Sequence, residues 1–122
     1  MRSKRILIVD DHALVRRVLR SFLESWTHFK VCGEAINGRD AIEKAKTLSP
    51  DLIVMDFSMP IMNGLEAGAV LKAILPQVPI IMCTVHDTAT MKVQALAVGV
   101  RALVQKHDMA SLAGHLRELL GG

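Results

Sequence analysis

Short aliphatic runs alternate along the chain with stretches of helical periodicity. The runs fall at residues 6–9, 31–33, 52–55, 80–83 and 102–104. Most are continuous rather than alternating in polarity, which suits strands covered on both faces, as in a parallel sheet. Between them, Leu14, Val18 and Phe22 recur every four residues, as do Val15, Leu19 and Leu23. Ile42, Ala45 and Leu48 predict a second helix face. Leu65, Ala69 and residues 71–75 predict a third, and Met91, Ala95 and Val98 a fourth. Met109, Leu112, Leu116, Leu119 and Leu120 close the chain at the spacing of one helix face.

The punctuation agrees with these divisions. Asn37-Gly38 makes a turn before the second helix, and Ser49-Pro50-Asp51 precedes the third strand. Pro76 and Pro79 end the third helix, Gly99 the fourth, and Gly121-Gly122 the fifth. The result is five β-α units and no linker, so residues 1–122 read as one α/β domain. Right-handed crossovers then give a single doubly wound, five-stranded parallel sheet with helices on both faces. Ligands of such sheets bind beyond the carboxyl ends of the strands, at the switch point.

Composition narrows the field. Of 122 residues, 51% are hydrophobic and 22% charged, which argues for a globular core rather than disorder. Aromatics are only 3%, too few to build a stacking platform for bases or a flavin. No apolar run reaches the ~18 residues of a membrane span, and the basic N-terminus leads into too short a run for a signal peptide. The expected location is cytoplasmic. Cys32 and Cys83 lack metal-ligand or disulfide spacing and read as core thiols. The net charge of +3 includes Arg2, Lys4, Arg5, Arg16, Arg17 and Arg20. These form either a solvated tail and helix face, or a docking face for an acidic partner or a weak attraction for nucleic acid.

The candidate chemistry sits where the strands end. The first strand runs into Asp10-Asp11, the third into Asp56, the fourth into Thr84, and the fifth into Gln105-Lys106. If the strand order is 2-1-3-4-5, Asp10, Asp11 and Asp56 crowd together. Two carboxylates ~4 Å apart repel by roughly 4 kcal/mol at an effective dielectric near 20. A hard divalent cation held by oxygen ligands relieves that repulsion, and Mg²⁺ suits few carboxylates with open water positions. Any single Asp here could instead cap a helix. With the cation present, Asp56 could attack phosphorus and become an aspartyl phosphate, while Lys106 neutralises charge and Thr84 offers a hydroxyl.

These residues carry a resemblance. Asp10-Asp11-His12, the stretch from Asp56 through Pro60, Gly64 and Ala67, then Thr84 and Lys106, together resemble a response-regulator receiver domain of two-component signalling. The VDDHALVR and DFSMPIMNGLEA segments are most similar to NarL/FixJ-type (LuxR-type) receivers. The resemblance spans essentially the whole chain and implies a flavodoxin-like (βα)₅ fold with order 2-1-3-4-5. It implies that Asp56 takes a phosphoryl group from a histidine kinase. It also implies that Asp11, Asp56 and the backbone carbonyl of Ser58 ligate Mg²⁺, with Asp10 acting through water. Lys106 would pair with the phosphoryl group, and Thr84 would relay the change to the surface of the fourth helix, fifth strand and fifth helix. Pro60 and Gly64 would shape the loop after Asp56.

Three positions depart from the family pattern. Leu103 stands where a switch Tyr or Phe is usual, Val85 where a smaller residue is usual, and His107 where Pro or Asp is frequent. Ser58 and His86 occupy positions that tune phosphoryl lifetime, and His86 is expected to reach the rim of the site. His12 reads as a first-turn helix residue, since Mg²⁺ prefers oxygen. A LuxR-type helix-turn-helix output domain is expected as a partner outside these residues, as is a homodimer. No recognition helix remains here for direct nucleic-acid contact. A phosphatase of the haloacid-dehalogenase pattern would want an Asp where Ser58 stands, and no phosphate-binding glycine motif appears. A receiver with vestigial phosphorylation, acting as a constitutive interaction module, and a stand-alone receiver without DNA output are the other readings.

Overall fold

A computed structural model describes residues 2–86 and 88–121. Strands and helices alternate strictly: β1 (Lys4–Val9), α1 (Ala13–Glu24), β2 (Phe29–Ala35), α2 (Gly38–Leu48), β3 (Leu52–Asp56), α3 (Gly64–Ile74), β4 (Ile80–Thr84), α4 (Ala89–Ala97), β5 (Ala102–Gln105) and α5 (Met109–Leu120). The sheet is parallel throughout with order β2-β1-β3-β4-β5. The expected α/β fold and strand order are therefore observed. β2 is longer than its aliphatic run suggests, because Phe29 and Ala35 are buried at its two ends.

The continuous aliphatic runs divide by the strand period of two. Ile6, Ile8, Leu52, Val54, Ile81 and Cys83 face α1 and α5, meeting Leu19, Leu23, Leu112 and Leu116. Leu7, Val9, Ile53, Met55, Ile80 and Met82 face the other helices, meeting Ala41, Ile42, Ala45, Ala67, Leu71 and Ala95. Both faces are covered by helices, which is why polarity does not alternate in the sequence.

Two predicted stripes are displaced. On α1, Leu19 and Leu23 are buried, but Leu14 and Val18 remain 68% and 49% exposed. On α3, Ala69 is exposed, and the buried face is Gly64, Ala67, Gly68 and Leu71. Small residues face inward there because the helix lies close to its neighbours: a Cβ on Gly68 would already touch Val100 at 3.4 Å.

Local signals position the helices that frame the strand ends. Asn37 and Asp108 cap α2 and α5 with their side chains. Asn63 and Glu66 form a reciprocal capping box at the start of α3. Gly99, with φ of 93°, ends α4 in the left-handed region.

The basic residues do not form one face. Arg2 pairs with Asp51, and Arg5 donates to the Leu48 carbonyl oxygen. Arg16 and Arg20 share Glu34. Cys83 is buried and Cys32 half-buried, and both thiols are free. No described helix is long and apolar enough to cross a membrane.

Candidate functional site

The site lies at the carboxyl ends of β1, β3 and β5, where the order reverses between β1 and β3. Among the described residues, the buried polar ones are Asp10, Asn37, Asp56 and Thr84. Asp10, Asp56 and Thr84 stand at the ends of β1, β3 and β4 on this edge. Asp56 ends β3 and shares the parity of Leu52 and Val54, so it stands on the α1/α5 side of the sheet. Thr84 ends β4 with the parity of Ile80 and Met82, on the other side.

Lys106 joins the acids. Its Nζ lies 2.9 Å from Asp10 Oδ2 and 3.2 Å from Asp56 Oδ2. Its own backbone N–H donates to the Thr84 carbonyl oxygen, which fixes the start of the loop that carries it. Asp10 Oδ1 accepts from the backbone N–H of His12 at 2.8 Å, and Asp56 Oδ1 from that of Ser58 at 3.4 Å. Asp10, Asp11, His12 and Asp56 each offer a ligand atom within 4.8 Å of the others.

The charges reinforce one another. Burial, then the neighbouring Asp10 carboxylate, push the Asp56 carboxyl above its ordinary range, and Lys106 only partly offsets them. Burial alone would lower the Lys106 pKa, but the hydrogen bond to Asp10 and the charges of Asp56 and Asp10 outweigh it and hold the ammonium protonated. Cys83, beside Asp56 in the sheet, is pushed up to about 12, chiefly by burial and then by the Asp56 charge. It is an inert part of the floor rather than a nucleophile.

The donor set fits a hard divalent cation. Asp11 Oδ1 is buried with no hydrogen-bond partner, although His12 Nδ1 lies 3.2 Å away. A buried carboxylate oxygen left in that state is costly unless a cation can approach it. The other available donors at the centre of the cluster are carboxylate oxygens, as Mg²⁺ requires. His12 contributes nitrogen and is two-thirds exposed, so it stands at the rim beside Asp10 and Asp11.

The remaining expected residues surround this centre. Ser58, Thr84, Val85 and His86 line one shallow concavity with His12, Met91, Asp56 and Lys106. His86 lies on the wall of this concavity. Val85 is 60% exposed and lies on the wall of the same concavity. The Thr84 hydroxyl donates to the His86 carbonyl oxygen at 3.1 Å rather than to the acids or Lys106. Leu103 packs half-buried against the cluster that contains Met82, Ala95 and Val100. Gly64 supports the loop after Asp56, since a Cβ there would collide with the Asp56 carbonyl oxygen.

One contact was not foreseen from sequence. Arg16 Nη1 donates to the carbonyl oxygen of Asp10 at 2.8 Å while Arg16 Nε holds Glu34. The available signal was positional: side chains on a helix lean toward its N-terminus, so an Arg in the first turns of α1 can reach back to the strand end.

Comparison with known proteins places this geometry in a family. A model of the response regulator receiver domain matches residues 6–117. The chemotaxis protein CheY of Thermotoga maritima is 40% identical over 104 residues, covering 85% of this chain and 86% of that protein. A protein-glutamate methylesterase/protein-glutamine glutaminase 1 of Methanosarcina acetivorans is 45% identical over 97 residues, covering 78% of this chain and 28% of that protein. The crystal structure of a LuxR-family two-component response regulator from Aurantimonas sp. aligns with a TM-score of 0.92 at 29% identity, covering 98% of this chain and 86% of that one. The chain belongs to the response regulator receiver domain family. Its relatives include chemotaxis, methylesterase and LuxR-family proteins side by side. Receiver domains bind Mg²⁺ at an acidic pocket, and the cluster around Asp10 and Asp11 could hold a metal.

Proposed function

We propose that this chain, taken as one receiver domain over residues 1–122, is a switch that accepts a phosphoryl group on Asp56 from a histidine kinase. The observation that carries this is the ammonium of Lys106, held between Asp10 and Asp56 inside a three-carboxylate cluster. One carboxylate oxygen of Asp56 attacks phosphorus as the bond from phosphorus to the donor's imidazole nitrogen breaks. The electron pair leaves with the imidazole. No general base is needed, because the carboxylate reacts as the anion. Asp11, Asp56 and the Ser58 carbonyl would hold Mg²⁺, with Asp10 acting through water. When bound, Mg²⁺ supplies charge neutralisation for the carboxylates and the phosphoryl oxygens.

Lys106 then exchanges its contact with Asp56 for one with the phosphoryl oxygens. Thr84 turns its hydroxyl from the His86 carbonyl toward the new charge, which releases that loop and biases the α4-β5-α5 surface. Leu103 is already half-buried and has no hydroxyl, so the movement of Thr84 is coupled through packing alone. Ser58, Val85 and His86, on the wall of the concavity, set access of water to the phosphoryl group and hence its lifetime. The product is a conformational state, not a turned-over substrate.

The two NarL/FixJ-like segments and the LuxR-family relative support control of a helix-turn-helix output domain, with a homodimer as the active form and the cytoplasm as its place. A vestigial receiver is favoured by the aliphatic Leu103 in the switch position and the branched Val85 after Thr84. Intact-mass measurement after incubation with acetyl phosphate and MgCl₂ separates the two. The switch predicts addition of one phosphoryl group that is lost in Asp56→Ala. A wild-type protein that gains no mass is the vestigial module.

A further inference from the structure

We propose that Arg16 is a positioning residue for the acidic pocket, oriented by Glu34, and that it sets the pocket's affinity for Mg²⁺. This rests on the reading of the pocket as the Mg²⁺ site of a phosphoacceptor. Asp10 is the first residue beyond β1, and its backbone is clamped on both sides. Its N–H donates to the Ala35 carbonyl oxygen of β2 at 3.0 Å, and its carbonyl accepts from Arg16 Nη1 at 2.8 Å. That carbonyl belongs to the Asp10–Asp11 peptide, so Arg16 fixes the plane from which the Asp11 side chain departs. Asp11 carries the buried oxygen that lacks a hydrogen-bond donor.

The guanidinium is itself held. Arg16 Nε donates to Glu34 Oε1 at 2.8 Å, and Arg20 Nε donates to Glu34 Oε2 at the same distance. Glu34 is therefore a fork on β2 that aims Arg16 at the strand end. α1 has no side-chain N-cap and no acidic residue in its first turn. Its entry into the fold is tied to β2 through this network instead. The two guanidinium charges are partly cancelled by Glu34, which also accounts for the lowering of its own carboxyl despite its partial burial.

Charge and geometry make opposite demands here, which makes the role testable. Removing the Arg16 cation from beside a cation site should tighten Mg²⁺ binding on Coulomb grounds. Losing the clamp on the Asp10 carbonyl should weaken it. Residues that orient metal ligands from outside typically govern affinity by ~10-fold or more. A lysine keeps the charge but cannot present two N–H groups in a planar fork, so it does not hold Glu34 and the carbonyl together.

The experiment titrates MgCl₂ into the full chain without any phosphodonor, following backbone amide resonances of residues 10–12 and 56–58. Arg16→Met, Arg16→Lys and Glu34→Gln are compared with wild type and with Arg17→Met, which removes an equal charge from an exposed position of α1. The proposal expects Arg16→Met and Arg16→Lys to weaken Mg²⁺ by about tenfold, Glu34→Gln to weaken it in the same direction, and Arg17→Met to leave it unchanged. Melting temperatures in chelator report the merely structural share of the network. If Arg16→Lys or Arg16→Met lowers the melting temperature but binds Mg²⁺ like wild type, or more tightly, the positioning role is wrong while the phosphoacceptor reading stands. A wild-type chain that does not bind Mg²⁺ at all overturns both.

Discussion

Asp56→Asn should make the Mg²⁺-free protein more stable, not less, because the folded state holds that carboxylate under repulsion. The Asp56 ligand oxygen lies within 4.8 Å of those of Asp10 and Asp11. Each such pair repels by at least about 3.5 kcal/mol at an effective dielectric near 20. Lys106, at 3.2 Å from Asp56, returns about 5 kcal/mol on the same scale. Asp11 is partly solvated, so its share is smaller. Burial of the charge adds to the cost, consistent with the raised Asp56 pKa. The net expectation is a gain of about 1–2 kcal/mol for Asn, whose single oxygen can still accept from one of the two donors, Lys106 or the Ser58 N–H. That corresponds to roughly 3–10 °C in melting temperature for a domain of this size.

The measurement is thermal or urea unfolding of both proteins in chelator at neutral pH. It is repeated with MgCl₂ and across acid pH. Mg²⁺ at about ten times its dissociation constant stabilises the wild type by roughly 1.4 kcal/mol and the variant by less, so the gap narrows. The acid branch has a definite sign. Asp56 has a folded pKa raised above 3.8, so its unfavourable contribution exists only while it is ionised. The advantage of Asn therefore shrinks as pH falls through that raised value toward and below 3.8. A variant less stable than wild type in chelator at neutral pH would mean that the Lys106 pairing outweighs the repulsion, and the account of the pocket as electrostatically strained would be wrong.

Other consequences are simpler to test. Ile61 holds a φ of 69° and is 75% exposed, so Ile61→Asn or Ile61→Gly should stabilise the fold by about 1 kcal/mol in urea unfolding. Glu34 has a lowered carboxyl, so its stabilising contribution is present above about 4.5 and lost as pH falls through the depressed folded value. The stability difference between wild type and Glu34→Gln should accordingly disappear in acid, and a constant difference across that range would contradict it. Cys83, pushed up to about 12 and buried, should be alkylated by iodoacetamide at pH 8 only as fast as the protein unfolds. Mass mapping should find Cys32 modified first.

Much of this protein was legible along the chain because its signals are local. The run 52–55 followed by Asp56 carries both a buried strand and its functional end. Asn37 marks a helix start through a bond to a residue three positions away. The alternation of such units constrains a parallel sheet and puts Asp10, Asp56, Thr84 and Lys106 at one edge. Tertiary structure alone decided which partners those groups take. Lys106 bonds Asp10 as well as Asp56, Thr84 turns to the His86 carbonyl, and Arg16 reaches past its own helix to Glu34 and the end of β1. It also decided that Leu14 and Val18 stay outside while Leu19 and Leu23 go in. Periodicity specifies a helix face, but burial depends on what packs against that face. Side-chain pairing between distant residues depends on distances of an ångström or two that no spacing along the chain encodes.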